Sequence, residues 1–312
     1  MLLLALGTLF SHGQGTGSVT ISVMPLGDSL TWGYDGGPDT TQYLNSLDTG
    51  GYRSPLYLAL GAQGVNVNYV GASNGNPSPV LTAAGQTAQD GFNGYRIDDI
   101  ANNLAGSVTG SDGVSNDGGY WLTGGGTSGR AAASPNIILL QIGANDMLQL
   151  YDPLFTGTRG TETAAQLATD TATRLESLIN QIMYYEPNAT LLVDGTSPLV
   201  NSAYSTAVSY DYDLDVANLV ATQYRGTNVH YVDMWDALYN NPKTPGYLYY
   251  EDDGVHLNTL GYDEMAATWD NAILADYNFS NLDAVPEPST WALLAGGALA
   301  LFGWRKLRPR KS

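Results

Sequence analysis

At residues 26–33 the sequence reads LGDSLTWG, directly after the run VTISVMP, which alternates and then turns apolar. Ser29 therefore stands at the mouth of a hydrophobic strand. A hydroxyl placed there can act as a nucleophile if a base takes its proton and donors await the negative charge that forms on the attacked oxygen. The chain has three histidines. His12 lies in an apolar N-terminal run, and His230 lies inside the strand-like NVHYVDMW, where a packed, hydrogen-bonded ring is the expected role. His256, in EDDGVHLN, is the remaining base. Asp253, three residues earlier, can accept from its Nδ1–H on a turn and hold the tautomer that presents Nε2 to Ser29. Asp252 is the alternative carboxylate.

Two further polar clusters carry donors. IILLQIGAND ends a strongly apolar run with Gly143, Asn145 and Asp146, and the Asn145 amide can offer its NH2 toward a cleft. GFNGYRIDDI offers Gly94 at the start of a helix, where the first backbone N–H groups have no partner within the helix. Asp28 and Asp146 belong to these clusters, and fixing loop geometry is their expected role.

The elements that must position these groups follow from periodicity. Strands are predicted over 19–26, 65–71, 136–142, 189–194 and 228–233. Helices are predicted near 52–61, 95–104, 163–185, 205–225 and 258–276. Within 163–185, Leu167, Leu175, Leu178, Ile179 and Ile182 share one face, as a helix packed on a sheet requires. Strands that alternate with helices and are too apolar for a one-sided sheet imply a parallel sheet covered on both faces. In such folds the site gathers beyond the carboxyl ends of the strands. The Gly-, Ser- and Asn-rich stretch 106–130 is expected to be a long surface loop that could wall a cleft.

Four stretches in order, GDSLT with Ser29, GFNGYR with Gly94, GAND with Asn145 and DGVH with Asp253 and His256, resemble the SGNH (GDSL) hydrolase family. The resemblance spans residues 27–256. It implies an α/β fold of the flavodoxin-like three-layer α/β/α type, with a parallel sheet in strand order 2-1-3-4-5. It also implies Ser29 as nucleophile, His256 as base and Asp253 as its partner. The oxyanion hole would comprise the Ser29 and Gly94 backbone N–H groups and the Asn145 side chain, with Gly91 a rival for Gly94. No metal and no cofactor is implied. The spacing of MPLGDSLTWG, GGYRSPLYLAL and GFNGYRIDDI looks more like the carbohydrate esterases that include acetylxylan esterases than like long-chain lipases. The tyrosine-rich YDYDLDV and GYLYYEDDGVH could stack on sugar rings.

The chain has 312 residues and a formal net charge of −18. Five of its 12 bases, Arg305, Lys306, Arg308, Arg310 and Lys311, fall in the last eight residues. Without the stretch from Pro286 onward, 7 bases and 29 acids remain, a net charge of −22. A body that acidic repels phosphate backbones, so nucleic acid is excluded as a partner. The absence of cysteine excludes disulfides and thiolate chemistry. At the C-terminus, Pro286-Glu287-Pro288, an uncharged run from Trp291 to Trp304 and the basic end resemble the PEP-CTERM sorting tail. As a helix that run would extend roughly 21 Å, short for a bilayer core of about 30 Å.

These features imply handling by an exosortase-type enzyme, transient inner-membrane contact through the C-terminal helix, and an extracellular or cell-surface destination in a Gram-negative bacterium. Residues 1–17 read as an atypical signal peptide, with no positive charge before the apolar run. The expected division is therefore 1–17 signal, 18–285 catalytic domain and 286–312 sorting tail. The expected activity is that of an exported serine esterase removing O-acetyl groups, chiefly from polysaccharides. The alternatives are a general short-chain esterase, thioesterase or lipase and, from another class, a non-catalytic glycan-binding surface protein.

Overall fold

The computed structural model describes residues 19–34, 49–106, 119–126, 129–151, 163–240 and 249–277. Contacts gather Thr20–Asn278 into one compact unit. The expected signal segment 1–17 and sorting tail 286–312 lie outside the described residues. Among the described residues, no helix is long and apolar enough to cross a membrane, so the expected inner-membrane contact finds no support there.

Strands β1 (Val19–Gly27), β2 (Val65–Tyr69), β3 (Asp90–Gly91), β4 (Ile137–Gln141), β5 (Thr190–Asp194) and β6 (Val229–Tyr231) form one sheet in the order β2-β1-β4-β5-β6, with the two-residue β3 paired to β1. The pairings of β1 with β3 and β4, of β4 with β5 and of β5 with β6 are parallel. Set β3 aside and the five full strands run 2-1-3-4-5, the order that the resemblance implies. The helices are α1 (Ser29–Trp32), α2 (Arg53–Ala62), α3 (Pro79–Ala84), α4 (Ile97–Leu104), α5 (Ala144–Tyr151), α6 (Ala164–Tyr185), α7 (Ala203–Gln223), α8 (Met234–Leu238) and α9 (Thr259–Asp276).

Every residue of β4 and β5 is buried, which is possible only when helices cover both faces of the sheet. Side chains alternate between the faces. Met24, Leu26, Ile138, Leu140, Leu191 and Val193 pack with residues of α4–α7, including all five apolar residues expected on the inner face of α6. Val23, Ile137, Leu139 and Leu192, equally buried, point the other way. There α2 packs on α9, with the Tyr52 and Trp269 ring centroids 6.2 Å apart.

The helix starts are written in the sequence as caps. The Ser78 hydroxyl accepts from Leu81 N–H with Pro79 opening α3, Thr163 and Gln166 form a capping box on α6, and Asn258 accepts from Gly261 N–H on α9. The expectation of one surface loop over 106–130 needs correction where that segment is described. Trp121 and Leu122 are buried, and their amides donate to the Asn103 and Leu104 carbonyls at the end of α4. An indole and an isobutyl group within a glycine-rich stretch supply the apolar area that draws it inward.

Candidate active site

The nucleophile candidate is positioned by the end of β1. A Cβ at Gly27 would lie 2.2 Å from the Gln141 carbonyl oxygen and 2.5 Å from Thr31 Oγ1. Only glycine lets the strand stay paired to β4 while the chain turns immediately into α1. Asp28 caps that turn by accepting from Leu30 N–H at 3.0 Å. Its carboxyl is wholly buried, and burial pushes it up to about 6 despite the Leu30 bond and the nearby His256. Ser29 itself retains 8% exposure.

The far end of α1 is clamped. Buried Arg53 donates from Nη2 to the carbonyls of Trp32, Gly75 and Asn76 and from Nε to that of Gly50. Asn76, in the left-handed region at φ 47°, donates to the carbonyls of Trp32 and Gly33. Carbonyl oxygens, not an acid, meet its Nε and Nη2 donors, and burial lowers its affinity for the proton from the ordinary value.

The second half of the site rides on the turn before α9. Tyr250 and Leu257 form an isolated bridge. Gly254, at φ 65°, packs so closely on Asn201 that a Cβ would stand 2.7 Å from the Asn201 nitrogen. On this braced turn Asp253 Oδ1 accepts from the Val255 and His256 amides at 2.8 and 2.9 Å. Asp253 Oδ2 meets His256 Nδ1 at 2.6 Å, and His256 Nε2 meets Ser29 Oγ at 2.9 Å. Partial burial works against the Asp253 charge. The bonds from the His256 ring and the two amides outweigh it, so this carboxyl lies below its usual range. A carboxylate on Nδ1 fixes the proton there and leaves Nε2 as the acceptor for the Ser29 hydroxyl. Such a chain of groups can generate an alkoxide-like oxygen without a metal.

The donor side is built by register. Gly27 pairs with Gly91 of β3 and with Gln141 of β4, so Ser29, Gly94 and Asn145 all follow within four residues of one aligned row. Asn145 Nδ2 donates to the Tyr95 carbonyl at 3.0 Å, tying the start of α5 to the Gly94–Tyr95 turn, where Gly94 has φ 78°. Beneath it Phe92 stacks on Tyr95 and on Trp121. Gly91 is spoken for. Its amide donates to Gln89 Oε1, and a Cβ there would stand 2.6 Å from the Trp32 nitrogen. Asp146 is buried behind this turn, accepting from Ile97 N–H at 3.1 Å and pairing with Arg174 at 2.9 Å. Burial raises it to about 7 against the pull of Arg174.

The remaining residues weighed in the sequence lie elsewhere. His230 on β6 pairs with Asp276 at 3.4 Å, at the other end of the sheet from Ser29 in strand order. Asp252 is exposed while its neighbour holds the imidazole. Of the tyrosines considered for stacking, Tyr212, Tyr249 and Tyr250 are buried and only Tyr210 is substantially exposed; Tyr247 lies outside the described residues. Three neighbours of the site escape sequence reading. Tyr34 packs on the imidazole, its ring centroid 4.4 Å from that of His256, and Trp32 lies next to Tyr34 at 6.4 Å. Arg53 is the only base before Arg96, and that isolation is the one signal that marks it.

Comparison with known proteins agrees with this arrangement in family and fold. A family model described as GDSL-like lipase/acylhydrolase matches residues 23–269, and the PEP-CTERM protein-sorting motif matches residues 284–310. A multidomain esterase from Ruminococcus flavefaciens is 28% identical over 260 residues. That match takes in 80% of this chain, which spans 28% of the relative's length. A family 3 carbohydrate esterase from Clostridium thermocellum shares the fold with a TM-score of 0.55 at 24% identity, over 82% of this chain and 96% of that one. A family 3 carbohydrate esterase from Talaromyces cellulolyticus does so at 0.52 and 18%, over 81% and 96%.

Proposed function

The chain belongs to the GDSL-like lipase/acylhydrolase family, a family of ester-hydrolysing enzymes, and from that premise we propose that it is an exported serine esterase acting on O-acetyl esters of polysaccharides. The observation that carries the reading is the unbroken series from Asp253 through His256 to Ser29, at 2.6 and 2.9 Å. Ser29 Oγ attacks the ester carbonyl as His256 Nε2 takes its proton. The oxyanion is held by the Ser29 and Gly94 backbone N–H groups and by Asn145. The Gly91 amide donates to Gln89 Oε1, which argues against that rival. His256 then protonates the leaving alcohol, and water repeats the sequence on the acyl-enzyme to free acetic acid and Ser29.

The polysaccharide substrate is supported by the carbohydrate esterases among the structures of like fold. The catalytic domain is residues 18–285. The matched sorting motif supports a chain that is exported and handed through its tail, residues 286–312, to an exosortase-type enzyme. The body's charge of −22 suits neutral, acetylated glycans better than anionic partners.

The test is acetate release from acetylated xylan by the full chain, alongside alkyl esters of increasing acyl length. The expected result is a preference for acetyl, with turnover falling to background in Ser29→Ala while its thermal unfolding is kept. A preference for long acyl chains would reject the carbohydrate reading in favour of a lipase. Failure of an organophosphonate to label Ser29, with no ester hydrolysed, would leave a glycan-binding protein.

A further inference from the structure

Two aromatic rings, Tyr34 on the imidazole and Trp32 next to it, have no part in the chemistry so far described. Ser29 and Trp32 open and close the four-residue α1, and a separation of three places both side chains on one face of a helical turn. Gly33 then turns the chain at φ 84°, so that Tyr34 follows with its amide on the Ser29 carbonyl at 2.9 Å and its carbonyl accepting from Tyr262 Oη at 2.7 Å. The Tyr34 ring lies 4.4 Å from the His256 ring and 6.4 Å from that of Trp32. Both rings are half-buried. The Trp32 indole stands against the 73–76 turn, where a Cβ at Gly75 would come 2.8 Å from its Nε1. Asn74 of that turn is exposed. Arg53 and Asn76 hold the Trp32 carbonyl, which fixes the backbone that carries the indole.

The position of the two rings identifies what they meet. When the tetrahedral intermediate collapses, the bond from carbon to the leaving oxygen breaks, its electron pair stays on that oxygen, and the proton comes from His256 Nε2. The alcohol half of the ester therefore sits at the imidazole, on the side where Tyr34 and Trp32 stand. A pyranose ring offers a flat face of C–H groups to such rings and hydroxyls to a neighbouring amide, whereas a short alkyl alcohol offers neither.

We propose that Trp32 and Tyr34 form the alcohol-side subsite of this enzyme and select esters whose alcohol is a sugar ring. The proposal rests on the esterase reading above and adds the residues that decide the alcohol.

The test compares kcat/KM of the full chain on an acetylated methyl xylopyranoside with that on ethyl acetate, which shares the acyl group but has no ring. In Trp32→Ala the ratio of the two falls about tenfold, carried mainly by KM for the glycoside. Trp32→Leu, which keeps apolar bulk without a flat face, shows the same fall, and Trp32→Phe recovers most of the ratio. Organophosphonate labelling of Ser29 reports that each variant keeps its nucleophile in place. A ratio unchanged in both Trp32→Ala and Trp32→Leu overturns the subsite. Hydrolysis of neither ester by the unaltered chain overturns the esterase reading instead.

Discussion

Two sets of aspartates surround the same hydroxyl and behave in opposite ways. On the rim, Asp253 keeps 38% of its side chain exposed, accepts three hydrogen bonds and is held below the usual carboxylate range. On the floor, Asp28, Asp146 and Asp194 are wholly buried at or just past the ends of β1, β4 and β5, and burial lifts each of them. Asp194 is raised well above the ordinary value, first by burial and then by the fields of Asp213, Asp233 and Asp28, which outweigh the Gly195 amide. Donors and solvent, not residue type, decide which acid is charged. The rim acid can serve as an anion beside an imidazole that gains a proton, while burial makes the floor acids hold their protons to higher pH.

The largest effect that separates the two sets is catalytic. Asp253→Asn should lower kcat by about 10²- to 10⁴-fold, because the amide can no longer hold Nδ1 protonated and Nε2 free. Asp252→Asn, one residue away and exposed, should stay within about twofold. Equal losses in the two variants would mean that the rim acts through net charge alone. Asn145→Ala comes next, with kcat expected to fall by roughly 10²- to 10³-fold as one oxyanion donor is lost. A change confined to KM would assign Asn145 to substrate binding only.

The smallest effect belongs to the floor and is read in stability. Asp28, Asp146 and Asp213 hold their protons in the folded chain up to about 6, 7 and 7, whereas the unfolded chain releases them near 3.8. Between those limits the folded state binds more protons, so stability falls as pH rises and levels off once these groups have ionised. Asp253 contributes with the opposite sign, adding stability above its unfolded value and losing it only as pH falls through its lowered one. Tm at about pH 5 should therefore exceed Tm at about pH 8 by several degrees. Asp194→Asn should raise Tm at the higher pH more than at the lower. A Tm that climbs from pH 5 to pH 8 would contradict the raised proton affinity of these buried acids.

Much of this is legible in the residues because it is local. Asp253 and His256 lie on one turn, and a spacing of three is enough to pair them. The face of α6 is visible in its leucines and isoleucines, and the ends of β1 and β4 in the change from apolar to polar. What escapes is short or distant. Helix α1 has four residues and β3 two, too few for any period to register. The choice between Gly91 and Gly94 depends on where an amide points, which glycine as a residue type does not disclose. Tyr34 meets His256 from the opposite end of the chain, and no pattern along the sequence links them. Arg53 gathers carbonyls from separate loops, partners that carry no side-chain signature.

The contact between Ser29 and His256 joins residues 227 positions apart, one at the start of the first helix and the other just before the last described helix. Under the proposed mechanism, a chain emerging from the ribosome has its nucleophile long before it has the ring that would activate it. Until α9 settles on α2, a partly built form is then expected to be inert toward esters. Recovery of hydrolysis during renaturation thus times the closing of the amino- and carboxyl-terminal parts of the body on one another.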